Sequence, residues 1–243
     1  MYDERFLSQA TYEAWFVPFH SGRVLYDDGS VKIVENTKMR AQDKAMVMML
    51  EDGSTLCALN AGLGMTLPAK NAAQLTREDL LRMVGKLPGK MYDADYIFSY
   101  TPASLESLVA GEDPASIRML GPDDDELFQT FQAQASEDDK EEAYVELDHW
   151  SVVGLFEDDE LVAVSSAYPW GSTSMADIGV LTLEKARGRG YGRVVVQAMA
   201  RNIVARGYEP LYRCDMTNSA SSATARSAGF TEIGQWVIVS DSE

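Results

Sequence analysis

The sequence predicts a mixed α/β fold, because apolar stretches of strand length flank a helix pattern that follows a glycine-rich turn. Residues 178–183 have the length and apolarity of a buried strand, and residues 194–205 repeat apolar side chains with the 3.6-residue period of a helix. The ten residues between them read Glu-Lys-Ala-Arg-Gly-Arg-Gly-Tyr-Gly-Arg. Hydrophobic residues make up 46% of the 243-residue chain, which is enough for a substantial core.

The first 115 residues are predicted to form an N-terminal α/β domain. Strand patterns precede a helix pattern that begins after Thr76, a typical N-cap residue, and ends near Gly85. The predicted strands cover 31–35, 45–50, 55–59 and 96–100, and the predicted helix covers 77–84. The glycine-containing stretch 62–68 is interpreted as a plain loop, and Gly-Glu-Asp-Pro at 111–114 predicts a junction between domains.

Residues 116–243 are predicted to form a second domain built on a mixed sheet. Three of its strand patterns are joined by short acidic or glycine-containing turns, as in antiparallel sheets. The longest helix pattern ends at Gly207, a typical C-terminal residue. The predicted strands cover 150–156, 160–167, 175–183 and 211–216, and the predicted helices cover 127–135, 141–147 and 194–205.

The glycine-rich turn has the composition of an anion-binding loop. Backbone N–H groups at a helix N-terminus lack intrahelical partners and carry the positive end of the macrodipole, so a phosphate satisfies both needs. Gly188, Gly190 and Gly192 remove Cβ interference and permit positive φ. A dinucleotide fingerprint fails because Arg193 replaces its third glycine, and the Gly-Lys-Ser/Thr ending of an ATP loop is missing. A turn that merely caps a helix is the alternative for this motif taken alone.

The remaining pattern, Arg187-x-x-Gly190-x-Gly192, resembles the pyrophosphate loop of the GCN5-related N-acetyltransferase (GNAT) family. The resemblance extends downstream to Asn218, which opens a short helix pattern, and to the Gly-Phe pair at 229–230 that ends it. Upstream, residues 116–123 resemble the opening strand and turn of the same domain. The resemblance covers about 116–239 and points to the FR47-like branch. Some two-part members carry a degenerate N-terminal copy of the GNAT fold, and the resemblance leaves open that residues 1–115 are such a copy.

The resemblance implies that the ligand is an acyl-CoA, with acetyl-CoA first. In the family, two neighbouring strands splay apart to admit the pantetheine arm, and here these would be the strands at 175–183 and 211–216. The coenzyme-binding residues implied are Val180, Leu181, Thr182, Arg187, Gly188, Arg189, Gly190, Tyr191, Gly192, Arg193, Asn218 and Ser221. Seven basic residues are also expected to crowd around the phosphates: Lys185, Arg187, Arg189, Arg193, Arg201, Arg206 and Arg213.

The resemblance further implies N-acyl transfer from the thioester to a primary amine, by direct attack in a ternary complex. Asp177 resembles the acidic general base of histone-acetylating relatives, and a solvent-facing strand acid is the alternative. Ala225 replaces the tyrosine that protonates the leaving thiolate in many relatives, which makes Tyr168 the fallback acid or acceptor-binding group. His149 is expected to be structural. The competing hypothesis is a non-catalytic module that binds acyl-CoA for sensing or for a partner.

Charge and composition limit the partners. A net charge of −17 and a pI near 4.5 argue against nucleic acid, which demands a basic surface. The acidic cluster at 137–142 favours a cationic small-molecule or peptide amine as acceptor, and the FR47-like resemblance also allows an amino acid.

The remaining compositional features point to a cytoplasmic protein without a membrane partner. No apolar run approaches the roughly 20 residues that span a bilayer, and the N-terminus lacks a signal-peptide pattern. Cys57 and Cys214 are expected to be buried thiols, and no Cys/His cluster suggests a metal. The oligomeric state is left open, a homodimer included.

Overall fold

The computed structural model describes residues 6–63 and 74–241, and their contacts form two compact units. The first unit contains residues 6–11, 98–213 and 219–231, and the second contains 12–63, 74–97, 214–218 and 232–241. The predicted junction at 111–114 lies inside the first unit. A compact unit is defined by contacts rather than by independent folding, so the predicted division after residue 115 stays a prediction.

Helices and strands alternate along the chain, which confirms the mixed α/β prediction. The helices are α1 Gln9–Trp15, α2 Val17–His20, α3 Arg77–Val84, α4 Pro102–Val109, α5 Asp125–Gln132, α6 Glu137–Ala143, α7 Tyr191–Ala205 and α8 Ser219–Ala228. The strands are β1 Arg23–Asp27, β2 Val31–Asn36, β3 Asp43–Met49, β4 Thr55–Asn60, β5 Lys90–Met91, β6 Asp95–Ser99, β7 Ile117–Met119, β8 Ser151–Glu157, β9 Glu160–Pro169, β10 Met175–Thr182, β11 Glu209–Asp215 and β12 Thr231–Ser240.

The second unit is organised around strands β1 to β4 and β12. Strand β2 pairs antiparallel with β1 and parallel with β4, and β3 pairs antiparallel with β4 and β12. Ile33, Val47 and Leu80 are fully buried in its core. Helix α3 begins as predicted, because the Thr76 hydroxyl accepts a hydrogen bond from the Asp79 N–H at 3.1 Å. The predicted loop at 62–68 lies mostly outside the described residues.

The first unit carries the glycine-rich turn. Strands β7, β8, β9 and β10 pair antiparallel in chain order, and β11 joins β10 in parallel. On one face of this sheet, Phe128 and Phe131 of α5 pack with Leu181 of β10. Helix α7 covers the other face against β8, β9 and β10, with Val195 and Met199 fully buried. The turn between β10 and α7 therefore connects the sheet to the helix that covers it.

Several elements were not predicted from the sequence, among them α1, α2, β1 and β12, and the position of one predicted helix differs. The helix predicted at 141–147 is wrong, because α6 begins at Glu137, where the Ser136 hydroxyl accepts from the Asp139 N–H at 3.1 Å. The helix ends at Tyr144, whose φ of 45° is left-handed. Helix α4 was missed, although Thr101 before Pro102 is an N-cap signal, and its hydroxyl accepts from the Ser104 N–H at 3.1 Å.

Within 6–63 and 74–241, no helix combines the length and apolarity needed to cross a membrane. The same residues contain no group of three or more His, Cys, Asp or Glu side chains placed to hold a metal ion.

Close approach of α6 to β10 depends on a glycine. A Cβ atom at Gly179 would lie 2.3 Å from the Ala143 carbonyl oxygen and 3.0 Å from that of Tyr144. Both contacts are with backbone atoms, which cannot swing aside as a side chain can. Gly179 therefore lets the C-terminal end of α6 lie against the strand.

We expect Gly179→Ala to lower the free energy of unfolding by about 1–3 kcal/mol, because the added methyl group overpacks a rigid contact. Denaturant unfolding monitored by circular dichroism measures the change. Gly121→Ala is the matched control, since a Cβ there meets no atom within 4 Å and φ is −145°. Equal stability of the Gly179 variant and the wild type would contradict the close approach.

Candidate active site

Strands β10 and β11 pair over a short distance and then separate. Their parallel pairing joins Met175 to Glu209, Ala176 to Pro210 and Asp177 to Leu211, whereas β10 continues to Thr182. The C-terminal half of β10 thus has no pairing with β11 in the described ladder. This opening is the wedge, defined here by residues 178–182 of β10 and residues 212–213 of β11.

Register decides which backbone groups of β10 face the wedge. The Leu183 N–H donates to the Val162 carbonyl at 3.1 Å, and the Trp170 N–H donates to the Met175 carbonyl at 2.8 Å. Because hydrogen-bonding direction alternates along a strand, the odd-numbered residues point toward β9 and the even-numbered ones point toward the wedge. The N–H groups of Val180 and Thr182 are therefore directed into the wedge. The Leu181 N–H points toward β9, and its side chain is buried in the core.

The turn before α7 exposes the start of that helix. Gly188 and Gly190 have φ values of 77° and 81°, in the left-handed region that favours glycine. A Cβ at Gly188 would meet no atom within 4 Å, and one at Gly190 would meet only the Arg193 guanidinium, at 3.9 Å. Gly190 is the N-cap residue and supplies no side-chain oxygen to the first N–H groups of α7. An anion can therefore approach these N–H groups directly.

The basic residues of the turn differ in availability. Arg187 donates to the Thr182 carbonyl at 3.1 Å and pairs with Asp139 at 2.6 Å. Arg189 makes two contacts with the Glu157 carboxylate, at 2.6 and 2.7 Å. Arg193 is exposed and has no ion pair or hydrogen bond to any described residue. Arg193 is thus the cation in the turn that can meet a phosphate without breaking an existing pair.

The other four basic residues are held by partners, and for Arg201 and Arg206, which lie far along α7, the predicted crowding around the turn is wrong. Lys185 pairs with Glu160, Arg201 with Asp113, and Arg213 with Asp177. The Arg206 guanidinium lies 4.4 Å from the centre of the Trp150 ring. Arg201 and Arg206 lie roughly 15 and 22 Å along α7 from its N-terminus, at about 1.5 Å per residue.

Asp177 lies where the pairing of β10 with β11 ends, and it is not a solvent-facing acid. Its side chain is only 7% exposed. The Oδ2 atom accepts from Arg213 Nε and Nη2 at 3.0 and 2.8 Å and from the Tyr168 hydroxyl at 3.1 Å. The Oδ1 atom is buried and has no hydrogen-bond partner among the described groups. Buried carboxylate oxygens are rarely left without a partner, so Oδ1 marks a position suited to a donor.

Aromatic side chains surround this carboxylate. The Tyr168 ring centre lies 5.6 Å from that of Tyr144 and 5.1 Å from that of His149. The Arg213 guanidinium stacks 4.1 Å from the centre of the Trp170 ring, a typical cation–π contact. Since Tyr168 is paired opposite Asp177 in the sheet, both side chains lie on the face that α6 covers.

Burial changes the acid–base properties of two of these groups. The pKa of the Tyr168 phenol is raised above its ordinary value, first by burial and then by the Asp177 charge. Tyr168 therefore stays protonated at neutral pH and is a hydrogen-bond donor rather than an effective acid. Burial also lowers the pKa of His149, although Asp148 and Glu146 act in the opposite direction.

Helix α8 places small side chains near β11. Ala225, at the position of the tyrosine acid in many relatives, is fully buried. The Ser221 hydroxyl lies 2.8 Å from the Tyr212 hydroxyl, and Tyr212 is 1% exposed. Ser221 therefore belongs to a hydroxyl pair that links α8 to β11. Asn218 belongs to the second unit, where its N–H donates to the Asp215 carbonyl at 3.0 Å.

The predicted acidic cluster is only partly available to a cationic acceptor. Asp139 pairs with Arg187, and the Ser136 hydroxyl bond and then Arg187 lower its pKa. Glu137 pairs with Lys140 at 2.6 Å. Sequence reasoning also missed Tyr212 as a site residue, and it assigned Arg213 to the phosphates rather than to Asp177. The signal for them was their position in β11, just beyond the residues that pair with β10.

Comparison with known proteins finds a family model that matches part of the chain. Residues 152–239 match the family model described as FR47-like protein, and these residues include β10, α7, β11 and α8. The predicted resemblance to FR47-like proteins is thereby confirmed for this segment. No curated protein matches the chain significantly.

Solved structures with similar folds share little sequence with the chain. A candidate GNAT-family acetyltransferase from Novosphingobium aromaticivorans DSM 12444 is 19% identical, with coverage of 64% of this chain and 69% of that one and a TM-score of 0.49. A GNAT-family acetyltransferase from Colwellia psychrerythraea is 17% identical, with coverages of 68% and 62% and a TM-score of 0.48. A conserved protein of unknown function from Staphylococcus epidermidis ATCC 12228 is 13% identical, with coverages of 97% and 99% and a TM-score of 0.46. Such values do not assign a function.

We expect Arg213→Met to lower the free energy of unfolding by about 3–5 kcal/mol, because it leaves the Asp177 carboxylate buried without its countercharge. The double variant Arg213→Met/Asp177→Leu should recover most of this loss, since two apolar side chains then replace the pair. Arg23→Met, which breaks an exposed pair with Glu35, is the matched control and should cost less than about 1 kcal/mol. Equal losses in the single and double variants, measured by denaturant unfolding, would contradict the pairing.

Proposed function

We propose that the protein is an acyl-CoA-dependent N-acyltransferase with acetyl-CoA as its first substrate, since residues 152–239 match the FR47-like family model. The observation that carries this proposal is the wedge between β10 and β11, which leads to the exposed N-terminus of α7. A thioester arm requires a narrow slot lined by backbone donors, and a pyrophosphate requires unpaired N–H groups. Both features lie on consecutive elements of one chain segment.

The described residues fit such a coenzyme. The N–H groups of Val180 and Thr182 are directed toward the position of a pantetheine amide chain. The open faces of Gly188 and Gly190 allow phosphate oxygens to reach the α7 N-terminus, beside the exposed Arg193. We propose that Tyr191 and Gly192, the first two residues of α7, belong to the same phosphate-binding segment. Ser221 on α8 lies on the other side of the wedge, beside Tyr212.

The proposed reaction is direct attack by a neutral amine on the thioester carbonyl. The C–N bond forms, the C–S bond breaks, the amine gives up a proton, and the CoA thiolate takes one up. Asp177 Oδ1 is the acceptor atom on the α6 side of the wedge, and we propose that it binds an N–H of the attacking amine. Tyr168 and Arg213 hold the carboxylate in place through Oδ2. Their contacts leave Oδ1 as the atom that can receive the proton.

Protonation of the thiolate does not require a tyrosine at position 225. Ala225 provides no donor, and Tyr168 holds its proton tightly. We propose that the Ser221–Tyr212 hydroxyl pair, or water beside it, supplies this proton. A CoA thiolate is a good leaving group, so the absence of a dedicated acid does not exclude turnover.

For the acceptor we propose a primary amine that is cationic in solution. Asp138 and the partly exposed carboxylates of α6 lie on the side of the sheet where Asp177 and the aromatic rings face. They would raise the local concentration of a cation by long-range attraction, while Asp139 is already neutralised by Arg187.

The second candidate function is binding of acyl-CoA without turnover. The observation that favours it is Ala225, which is buried and cannot act as an acid. A steady release of CoA thiol in the presence of an amine would exclude this candidate. Binding without release would support it.

We expect Gly190→Ala to weaken acetyl-CoA binding about tenfold, equivalent to about 1.4 kcal/mol, because a methyl group at this position obstructs phosphate approach. Isothermal titration calorimetry gives the dissociation constant. Gly207→Ala is the matched control: it lies at the other end of α7, has φ of +82°, and has no atom within 4 Å of its Cβ. It carries the same backbone strain and should leave affinity unchanged. Equal effects of the two variants would refute the phosphate loop.

We expect Asp177→Asn to lower kcat at least about a hundredfold, well beyond any change in the acetyl-CoA dissociation constant that loss of the Arg213 pair causes, since general-base catalysis contributes factors of this size. Thiol release with a panel of primary amines measures kcat, and calorimetry measures binding. Wild-type turnover in this variant would assign proton transfer to another group.

A further inference from the structure

His149 has a hydrogen-bond arrangement that determines its tautomer. Its Nδ1 atom lies 2.8 Å from the hydroxyl of Ser166, which is fully buried. Ser166 has no other hydrogen-bond partner among the described residues. If Nδ1 carried the proton, the Ser166 hydroxyl would accept it and its own hydrogen would be buried without a partner. Such a loss costs free energy, so the hydroxyl donates and Nδ1 accepts.

A neutral imidazole that accepts at Nδ1 carries its proton at Nε2. Burial keeps His149 neutral by lowering its pKa, against the opposing effects of Asp148 and Glu146. The other titratable groups that face it are Tyr144 and Tyr168, whose rings lie 5.0 and 5.1 Å away. The Nε2 atom has no described partner and is not among the enclosed polar atoms. At neutral pH it is an accessible N–H donor and cannot accept a proton.

His149 shares a sheet face with Asp177. Ser166 is paired opposite Gly179, and Tyr168 is paired opposite Asp177, so both strand positions lie on the α6 side of β10. This face therefore presents an acceptor atom, Asp177 Oδ1, and a donor group, His149 Nε2–H. The Tyr168 ring lies between them, in contact with His149 and bonded through its hydroxyl to Asp177.

We propose that His149 is a specificity-determining hydrogen-bond donor for the acceptor substrate, oriented by Ser166, and that the preferred amine carries a carbonyl oxygen next to it. The inference rests on the proposed function. The amine nitrogen faces Asp177, and the carbonyl oxygen accepts from His149 Nε2–H. Amino-acid amides and peptide N-termini have this chemistry, whereas simple alkylamines and polyamines lack the oxygen.

The tautomer of His149 can be tested without measuring acyl transfer. The chain has two histidines, and His20 provides an internal reference because its Nδ1 lies 2.9 Å from the Phe16 carbonyl oxygen, which can only accept. In two-bond ¹H–¹⁵N correlation spectra at about pH 8, we expect His149 to be the Nε2–H tautomer and His20 to be the Nδ1–H tautomer. A His20→Gln variant assigns the signals. Ser166→Ala should turn the His149 signals into a mixture. An Nδ1–H tautomer or a mixture in the wild type would overturn the proposal.

The substrate role is tested with matched acceptors. Phenylalanine amide and 2-phenylethylamine differ by one carboxamide, and other amines are paired in the same way; the pair with the fastest turnover is used. The ratio of kcat/KM values, corrected for the neutral fraction of each amine, should favour the carbonyl-bearing member. We expect His149→Phe to reduce this ratio about three- to tenfold, mainly through KM, since one neutral hydrogen bond is lost.

A conservative variant separates a donor from a base. The side-chain nitrogen of glutamine mimics Nε2–H, so His149→Gln should keep the preference that His149→Phe loses. Equal losses of kcat in both variants, together with an acidic limb in the wild-type pH profile that both lose, would show a general base and overturn the proposal. Failure of every amine to be acylated would refute the proposed function and with it the substrate role, while the spectra would still decide the tautomer.

Discussion

The ion pair between Asp177 and Arg213 is the interaction on which the candidate site depends. It joins β10 to β11 at the residue where their backbone pairing ends, so the two strands are held together on one side of this point and separate on the other. A charge buried at such a position is costly unless its partner is close and well oriented. The same pair fixes the carboxylate rotamer, because two Arg213 nitrogens and the Tyr168 hydroxyl all bind Oδ2. The ion pair thus lies at the point where the strands diverge, and it also orients Oδ1.

The acidity of the chain explains why its glycine-rich turn offers so little free positive charge. In a protein with a net charge of −17, most arginines find a carboxylate nearby. Arg187 is tied to Asp139 on α6, and Arg189 is tied to Glu157 on β8. These pairs connect the turn to α6 and to the sheet. The groups of the turn that stay available to an anion are the α7 N–H groups and Arg193. A coenzyme phosphate would therefore be bound chiefly by the backbone, which makes glycine conformation more important than arginine number.

On the face of the sheet that α6 covers, the direction of each hydrogen bond determines which side chains are donors and which are acceptors. Raised pKa values keep Tyr168 a donor, and the buried Ser166 hydroxyl makes His149 a donor as well. Asp177 Oδ1 then stands as the acceptor beside two donors. A face with this pattern suits a ligand that presents both an N–H and an oxygen. The two donors would position such a ligand, and the Asp177 carboxylate would accept the proton.

Local patterns in the sequence were sufficient for the mixed α/β class, for α3 with its Thr76 cap, for β2 to β4 and β8 to β11, and for the glycine conformations at 188 and 190, since each depends on neighbours within a few residues. Strands β1 and β12 were not predicted. The start of α6 was misplaced because an acidic stretch has no apolar period, and only the Ser136 cap locates it. The partners of Arg187, Arg189 and Arg213 lie 48, 32 and 36 residues away in the chain, so no local pattern could assign them. The unpartnered Oδ1 of Asp177 and the tautomer of His149 likewise depend on residues that only the fold brings together. An ion pair or a buried hydrogen bond is set by distance in space rather than by distance along the chain.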